Sequence, residues 1–150
     1  MKVASFDIVF QEIPGEVTLA LNLSGCPCHC HGCHSQHLWE DIGKELNPEL
    51  LDDLTGRYQG LITCVAFMGG DQDPLYVQRM AAYLKRSNLR TAWYSGRMNF
   101  PTEDVFDYVK LGPYMEALGG LKSEKTNQRL YKRVGKEWED ITSVFWKKSL

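Results

Sequence analysis

Val17-Thr18-Leu19-Ala20-Leu21-Asn22-Leu23-Ser24-Gly25-Cys26-Pro27-Cys28-His29-Cys30-His31-Gly32-Cys33 decides the fold of this chain. Its first seven residues are rich in branched and apolar side chains and make a run of strand length. Ser24-Gly25 stops the run, and four of the five cysteines follow in a short loop. A thiol-rich loop at the C-terminal end of a strand is the position that open α/β sheets and barrels use for their sites.

Without Cys28 the spacing reads C-x3-C-x2-C over Cys26, Cys30 and Cys33. Three thiolates on one loop can hold three corners of a cubane iron–sulfur cluster, which normally takes four. The fourth iron is then open to a small molecule, so the spacing predicts chemistry rather than a structural staple. Structural zinc is an alternative, because all 4 histidines (His29, His31, His34 and His37) lie close by. Zinc sites, however, usually pair two short knuckles across a longer segment, and beyond His37 only Cys64 carries a thiol. Unligated redox thiols are a further alternative. In extended chain, C-x-C alternation turns Cys28 away from the face shared by Cys26, Cys30 and Cys33.

Outward from the loop, the chain repeats a strand, turn and helix pattern. Val3–Phe10 reads as a first strand. Asn47-Pro48 and Asp73-Pro74 each read as an N-cap with proline at the first helical position. Leu50, Leu51, Leu54 and Tyr58 share one face of the first helix; Val77, Met80, Ala81 and Leu84 share one face of the second. Leu61–Phe67, Thr91–Tyr94 and Val105–Leu111 read as buried strands. Met68-Gly69-Gly70-Asp71, Ser95-Gly96 and Gly112-Pro113 stop them in turn. Gln128–Val134 and Ile141–Phe145 read as late strands. The alternation predicts a parallel α/β arrangement. The chain has 150 residues, too few for a full eight-unit barrel of about 250. The fold expectation is therefore a single domain, 1–150, forming a partial, open (β/α) barrel.

Composition bounds the function. Apolar residues make up 43% and the formal net charge is −2, which gives no general electrostatic drive toward nucleic acid. No apolar run reaches the ~20 residues of a bilayer span, and Asp7 interrupts the start of the chain, so a cytoplasmic location is expected. Five cysteines, four of them bunched, argue against a disulfide framework and for a reducing compartment.

The cysteine triad, with Gly69-Gly70-Asp71 following after one βα unit, resembles the radical S-adenosylmethionine enzymes. Within that superfamily the chain is most similar to the activating proteins of anaerobic ribonucleoside-triphosphate reductases, through Asn22-Leu23-Ser24-Gly25-Cys26, Gly32-Cys33, Tyr94-Ser95-Gly96 and Thr126-Asn127-Gln128-Arg129. The resemblance spans nearly the whole chain. It implies a barrel of the radical S-adenosylmethionine type and one [4Fe-4S] cluster per chain, ligated by Cys26, Cys30 and Cys33. It also implies S-adenosylmethionine as cosubstrate, with Gly32, Cys33 and His34 beside the adenine and Gly69, Gly70 and Asp71 at the methionyl amino group. Ser95 and Gly96 are further contact candidates. The implied reaction generates a glycyl radical on the reductase, with the electron coming from a flavodoxin- or ferredoxin-like donor. A different small radical S-adenosylmethionine enzyme and a zinc-binding interaction module are the alternatives. Gly-Gly-Asp in place of the commoner Gly-Gly-Glu, His34 in place of a familiar tyrosine, and the additional Cys28 are departures from the pattern.

Overall fold

The computed structural model describes residues 1–33 and 36–146. One mixed sheet of 8 strands runs through it, in the order β3-β1-β2-β4-β5-β6-β7-β8. The strands are β1 (Lys2–Val9), β2 (Thr18–Leu23), β3 (Lys44–Glu45), β4 (Cys64–Met68), β5 (Arg90–Tyr94), β6 (Tyr108–Leu111), β7 (Arg129–Val134) and β8 (Glu137–Asp140). The central four, β2, β4, β5 and β6, are parallel. β1 and β3 on one side and β7 and β8 on the other are antiparallel additions.

Two helices, α1 (Pro48–Arg57) and α2 (Pro74–Leu84), precede β4 and β5. Both start as the sequence predicts. The Asn47 side chain accepts the Leu50 backbone N–H at 2.8 Å, and Asp73 accepts that of Tyr76 at 3.2 Å. These caps satisfy donors that the first helical turn leaves orphaned.

The expected apolar stripes are the ones buried. Leu51 and Leu54 of α1 and Val77, Met80, Ala81 and Leu84 of α2 pack with Leu19, Leu21, Leu23, Val65, Phe67, Trp93, Val109 and Leu111 of the parallel strands. Side chains alternate across a strand, so the intervening residues face the other way. There Cys64, Ala66, Ala92, Tyr108 and Leu130 form a second, smaller cluster with Ile13. Both helices thus cover one face. The opposite face carries small or polar side chains in its middle, with Leu121, Ile141 and Phe145 packed against its cluster.

Several boundaries differ from the sequence reading. β4 begins at Cys64, because Leu61 and Ile62 close the turn after α1 with bonds to the Tyr58 carbonyl. β6 begins only at Tyr108; Asp107 before it uses its carboxylate on the Thr91 N–H at 2.9 Å. No helix joins β5 to β6, so strict alternation ends there. Ile141–Phe145 is not a strand. Residues Thr142–Trp146 form a 3-10 turn, started by Asp140, whose Oδ1 accepts the Thr142 N–H at 2.9 Å and its hydroxyl at 2.6 Å. The last strand is instead the charged Glu137–Asp140, paired with β7. Among the described residues no helix is long and apolar enough to cross a membrane.

Candidate metal centre

Three loops meet at the C-terminal ends of adjacent parallel strands. The cysteine loop leaves β2, Gly69-Gly70-Asp71 leaves β4, and Ser95-Gly96 leaves β5. Each loop exists for a local reason. Gly70 has φ +92, and a Cβ there would collide with Val77 Cγ2 of α2; only glycine lets the chain turn this close to the helix. Gly96 has no Cβ because the Cys28 side chain fills that space: its Sγ lies 2.7 Å from where a Cβ would sit.

Backbone bonds at both ends hold the cysteine loop in place. The Gly25 N–H donates to the Glu40 carbonyl at 3.0 Å and the Cys26 N–H to that of Leu38 at 2.9 Å. Inside the loop, the Cys33 N–H donates to the Cys30 carbonyl at 3.1 Å. His29 stacks on Trp39, with ring centroids 4.4 Å apart and planes 6° from parallel. The Ser24 carbonyl accepts from Gln72 Nε2 at 2.8 Å, which ties the loop to the turn after β4. His31 pairs with Glu116 at 3.2 Å, tying it to the segment after β6.

Asp71 is the centre of the polar arrangement. It is 4% exposed. It accepts from the Ser95 hydroxyl at 2.5 Å and from the Gly96 N–H at 2.8 Å, and Cys28 Sγ lies 3.6 Å from its Oδ2. Burial first, then the Asp71 charge, push the Cys28 thiol up to about 12, with Cys26 adding to the effect. Cys28 therefore does not turn away from Cys26. Alternation requires extended chain, and His29 next to it has a positive φ of 43.

Lys110, on β6, is a residue the sequence reading passed over. It is 8% exposed, donates to the Gly112 carbonyl at 3.0 Å and lies over the Tyr94 ring at 5.6 Å. Burial pulls its ammonium down to about 8 from 10.5, while Asp71, Cys30, Cys28 and Cys26 pull it back up. Nearby, Asn127 donates to the Pro113 carbonyl at 3.0 Å, but its buried Oδ1 has no hydrogen-bond partner among the described residues.

The predicted site residues are distributed as follows. Cys26, Cys30 and Cys33 share the loop, half-buried and outside any disulfide. Among the described residues no three His, Cys, Asp or Glu side chains are drawn into one metal-holding group. Gly32 sits against Glu116, whose carboxyl carbon is 3.0 Å from where a Cβ would be. Gly69 has its carbonyl occupied by the Trp93 indole N–H at 2.7 Å, so that carbonyl already has a protein donor. Asp71 faces the cysteine loop. His34 lies outside the described residues.

The donor set suits an iron–sulfur cluster: three reduced, accessible thiols on one short loop, with a buried cation behind them. Comparison with known families agrees. Residues 14–101, more than half of the chain, match the model of the 4Fe-4S single cluster domain. The chain belongs to that family, and this is an iron–sulfur protein. No curated protein and no solved structure matches it.

Proposed function

We propose that the protein is a radical S-adenosylmethionine enzyme that activates an anaerobic ribonucleoside-triphosphate reductase. The observation that carries the reading is the convergence of the Cys26–Cys33 loop with Asp71. A carboxylate 4% exposed, held by Ser95 and Gly96 and touching the cysteine loop through Cys28, suits an ammonium bound beside a cluster. In this reading β2, β4, β5 and β6 are the core of a partial, open (β/α) barrel. Cys26, Cys30 and Cys33 are the cluster ligands, and the face left bare by the helices receives the cosubstrate.

Cys26, Cys30 and Cys33 would hold a [4Fe-4S] cluster, which would supply the single electron needed to cleave the S–C5′ bond of S-adenosylmethionine into methionine and a 5′-deoxyadenosyl radical, the species that would take a hydrogen atom from a glycine of the reductase. The chain's own residues bind and orient. Asp71 Oδ2 accepts the methionyl ammonium in place of the Cys28 thiol. Ser95 and Gly96 keep the carboxylate fixed, so little ordering is left for binding to supply. Gly32 and Cys33 line the adenine side. A flavodoxin- or ferredoxin-like protein supplies the electron, and the reductase docks over the open face in the cytoplasm.

The test begins with anaerobic reconstitution. About four iron and four sulfide per chain are expected, with 5′-deoxyadenosine released from S-adenosylmethionine under dithionite. Mixing with the reductase gives a glycyl doublet in electron resonance. Asp71→Asn weakens cosubstrate binding by about 10- to 100-fold, since hydrogen bonds to a charged partner are worth ~1.5–3 kcal/mol. One zinc per chain with no iron–sulfur absorption would replace this reading with a zinc-binding module. Cosubstrate cleavage without any glycyl doublet would leave a radical enzyme with another substrate.

A further inference from the structure

We propose that the Lys110 ammonium is a built-in counter-charge for the cluster, holding its reduction potential up by facing the cysteine loop from beneath. The inference rests on the iron–sulfur cluster of the family and not on the radical reaction.

A buried lysine normally has a carboxylate partner. Lys110 has no salt-bridge partner among the described residues. Its one hydrogen-bond acceptor among those residues is the neutral Gly112 carbonyl, which leaves ammonium protons to spare. Its other support is the Tyr94 ring face, and cation–π attraction keeps the charge without neutralising it. Strand pairing sets Lys110 beside Tyr94, at the end of β5 that leads into Ser95-Gly96, and the charges of Asp71, Cys30, Cys28 and Cys26 act on it there. Two of those four are predicted cluster ligands. Asp71, the first of the four, links Lys110 to the loop: Ser95, which donates to Asp71, gives its backbone N–H to the Lys110 carbonyl at 2.8 Å, and Cys28 Sγ lies 3.6 Å from Asp71 Oδ2. Lys110 therefore faces one buried carboxylate together with the cysteine loop, and the thiolates of a bound cluster add to the anionic charge it is placed to balance.

The redox consequence follows from charge. Three thiolates around a cubane core give an anionic site, and one electron from dithionite adds a further negative charge. A fixed cation close by stabilises the more negative, reduced form, and the low dielectric of a buried position strengthens that effect. Lys110 acts here as a positioning residue, through charge rather than by ligation. The sequence carries the signature: a lysine stands at an inward position of the buried strand Tyr108-Val109-Lys110-Leu111, where β6 is buried at all 4 residues.

The experiment is a mediated dithionite titration of the anaerobically reconstituted protein without cosubstrate, following the reduced-cluster signal. Lys110→Met removes charge and donor; Lys110→Gln keeps a donor for the Gly112 carbonyl without the charge; Lys110→Arg keeps the charge. At the wild-type midpoint potential, the Met and Gln variants are expected to hold about tenfold less reduced cluster relative to oxidised, or ~59 mV for a one-electron couple. The Arg variant is expected to stay within about threefold. Failure of both charge-free variants to load iron, with native circular dichroism and loading restored in Lys110→Arg, also supports the proposal. Wild-type potential in either loaded charge-free variant overturns it. So does an equal change, in potential or in loading, across all three variants. These readings stand whether or not S-adenosylmethionine is cleaved, so failure here is distinguishable from failure of the proposed activity.

Discussion

The two ends of the parallel sheet bury similar groups and treat them differently. At the N-terminal end, Glu16 is 8% exposed and fully engaged: Thr63 donates to it at 2.7 Å, Tyr108 at 2.8 Å, and Arg90 approaches to 3.5 Å. Cys64 beside it is wholly buried. At the C-terminal end, among the described residues, Lys110 has one neutral acceptor and Asn127 Oδ1 has no partner, while four cysteines stay half-buried. Burial is comparable at the two ends, and Thr18 Oγ1 at the N-terminal end, like Asn127 Oδ1, has no hydrogen-bond partner among the described residues. Charge separates them: the buried Glu16 carboxylate meets a cation, whereas the buried Lys110 ammonium has no salt-bridge partner among the described residues. A buried charge left unpaired is costly, which marks that end for an anionic ligand.

The sharpest way to break this comparison is to exchange cysteines between its two sides. Replacing Cys26, Cys30 or Cys33 with alanine should each abolish stable cluster loading, measured as iron and sulfide per chain after anaerobic reconstitution. Cys64→Ala should load fully, and Cys28→Ala should load and retain activity. Cluster loss in Cys64→Ala with a native fold would erase the distinction between the ends.

Thiol chemistry gives the next largest effect. Burial, then the Glu16 charge, push the Cys64 thiol up to about 12. The reactive species is the thiolate, and a raised value keeps the protonated form dominant until the pH approaches it. Iodoacetamide at pH 8, applied to reduced, metal-free protein, should alkylate Cys26, Cys30 and Cys33 at least about a hundredfold faster than Cys64, which must wait for unfolding. Peptide mapping by mass spectrometry reads the order. Rapid labelling of Cys64 in the native state would show that the N-terminal end is open too.

How much of this was visible in the sequence depends on the range over which each signal acts. Asn47-Pro48 and Asp73-Pro74 fix helix starts through bonds to residues three positions on, so they were readable and correct. The stripes of α1 and α2 and strands β2, β4 and β5 were readable because periodicity reports one-sided burial. The iron–sulfur chemistry was readable because a single loop carries it. Glu137–Asp140 was missed because its strand rests on pairing with β7 and on Arg133 lying 4.2 Å over the Trp138 ring, both invisible locally. Ile141–Phe145 misled because its apolar residues line a turn under the second cluster. Lys110 and Glu16 became meaningful only when strand order set them at opposite ends of one sheet.

Glu16 tests the closed end by itself. Glu16→Gln keeps the shape, but one of its oxygens becomes an amide donor facing the donors that oxygen served. The expected loss is about 1–3 kcal/mol in urea unfolding, with cluster loading unchanged. The same change should ease both Cys64 and Tyr108 back toward their ordinary ranges, since Glu16 raises each. A loss of cluster loading would couple the ends that the structure keeps apart.

The smallest effect is also the most specific, because its sign depends on the cluster. In metal-free, reduced protein the Lys110 ammonium is a buried charge with no salt-bridged carboxylate among the described residues. Its folded value of about 8 lies below the ordinary 10.5. Below pH 8 both folded and unfolded chains hold the proton, and the fold bears the desolvation cost. Between 8 and 10.5 the unfolded chain holds more protons, so stability rises with pH. Cys28 and Cys64, both raised from 9.0 to about 12, work in the opposite direction above 9, so the clean window is pH 8 to 9. Lys110→Met should therefore make the metal-free protein more stable at pH 7 by about 1 kcal/mol, after loss of the Gly112 bond is set against relief of desolvation. Its urea midpoint should be flat across that window, where the wild type's climbs. With the cluster bound, the same substitution should disfavour the reduced state. A Lys110→Met protein less stable than wild type at pH 7 would make Lys110 an ordinary strut, and the two ends of the sheet would no longer differ in kind.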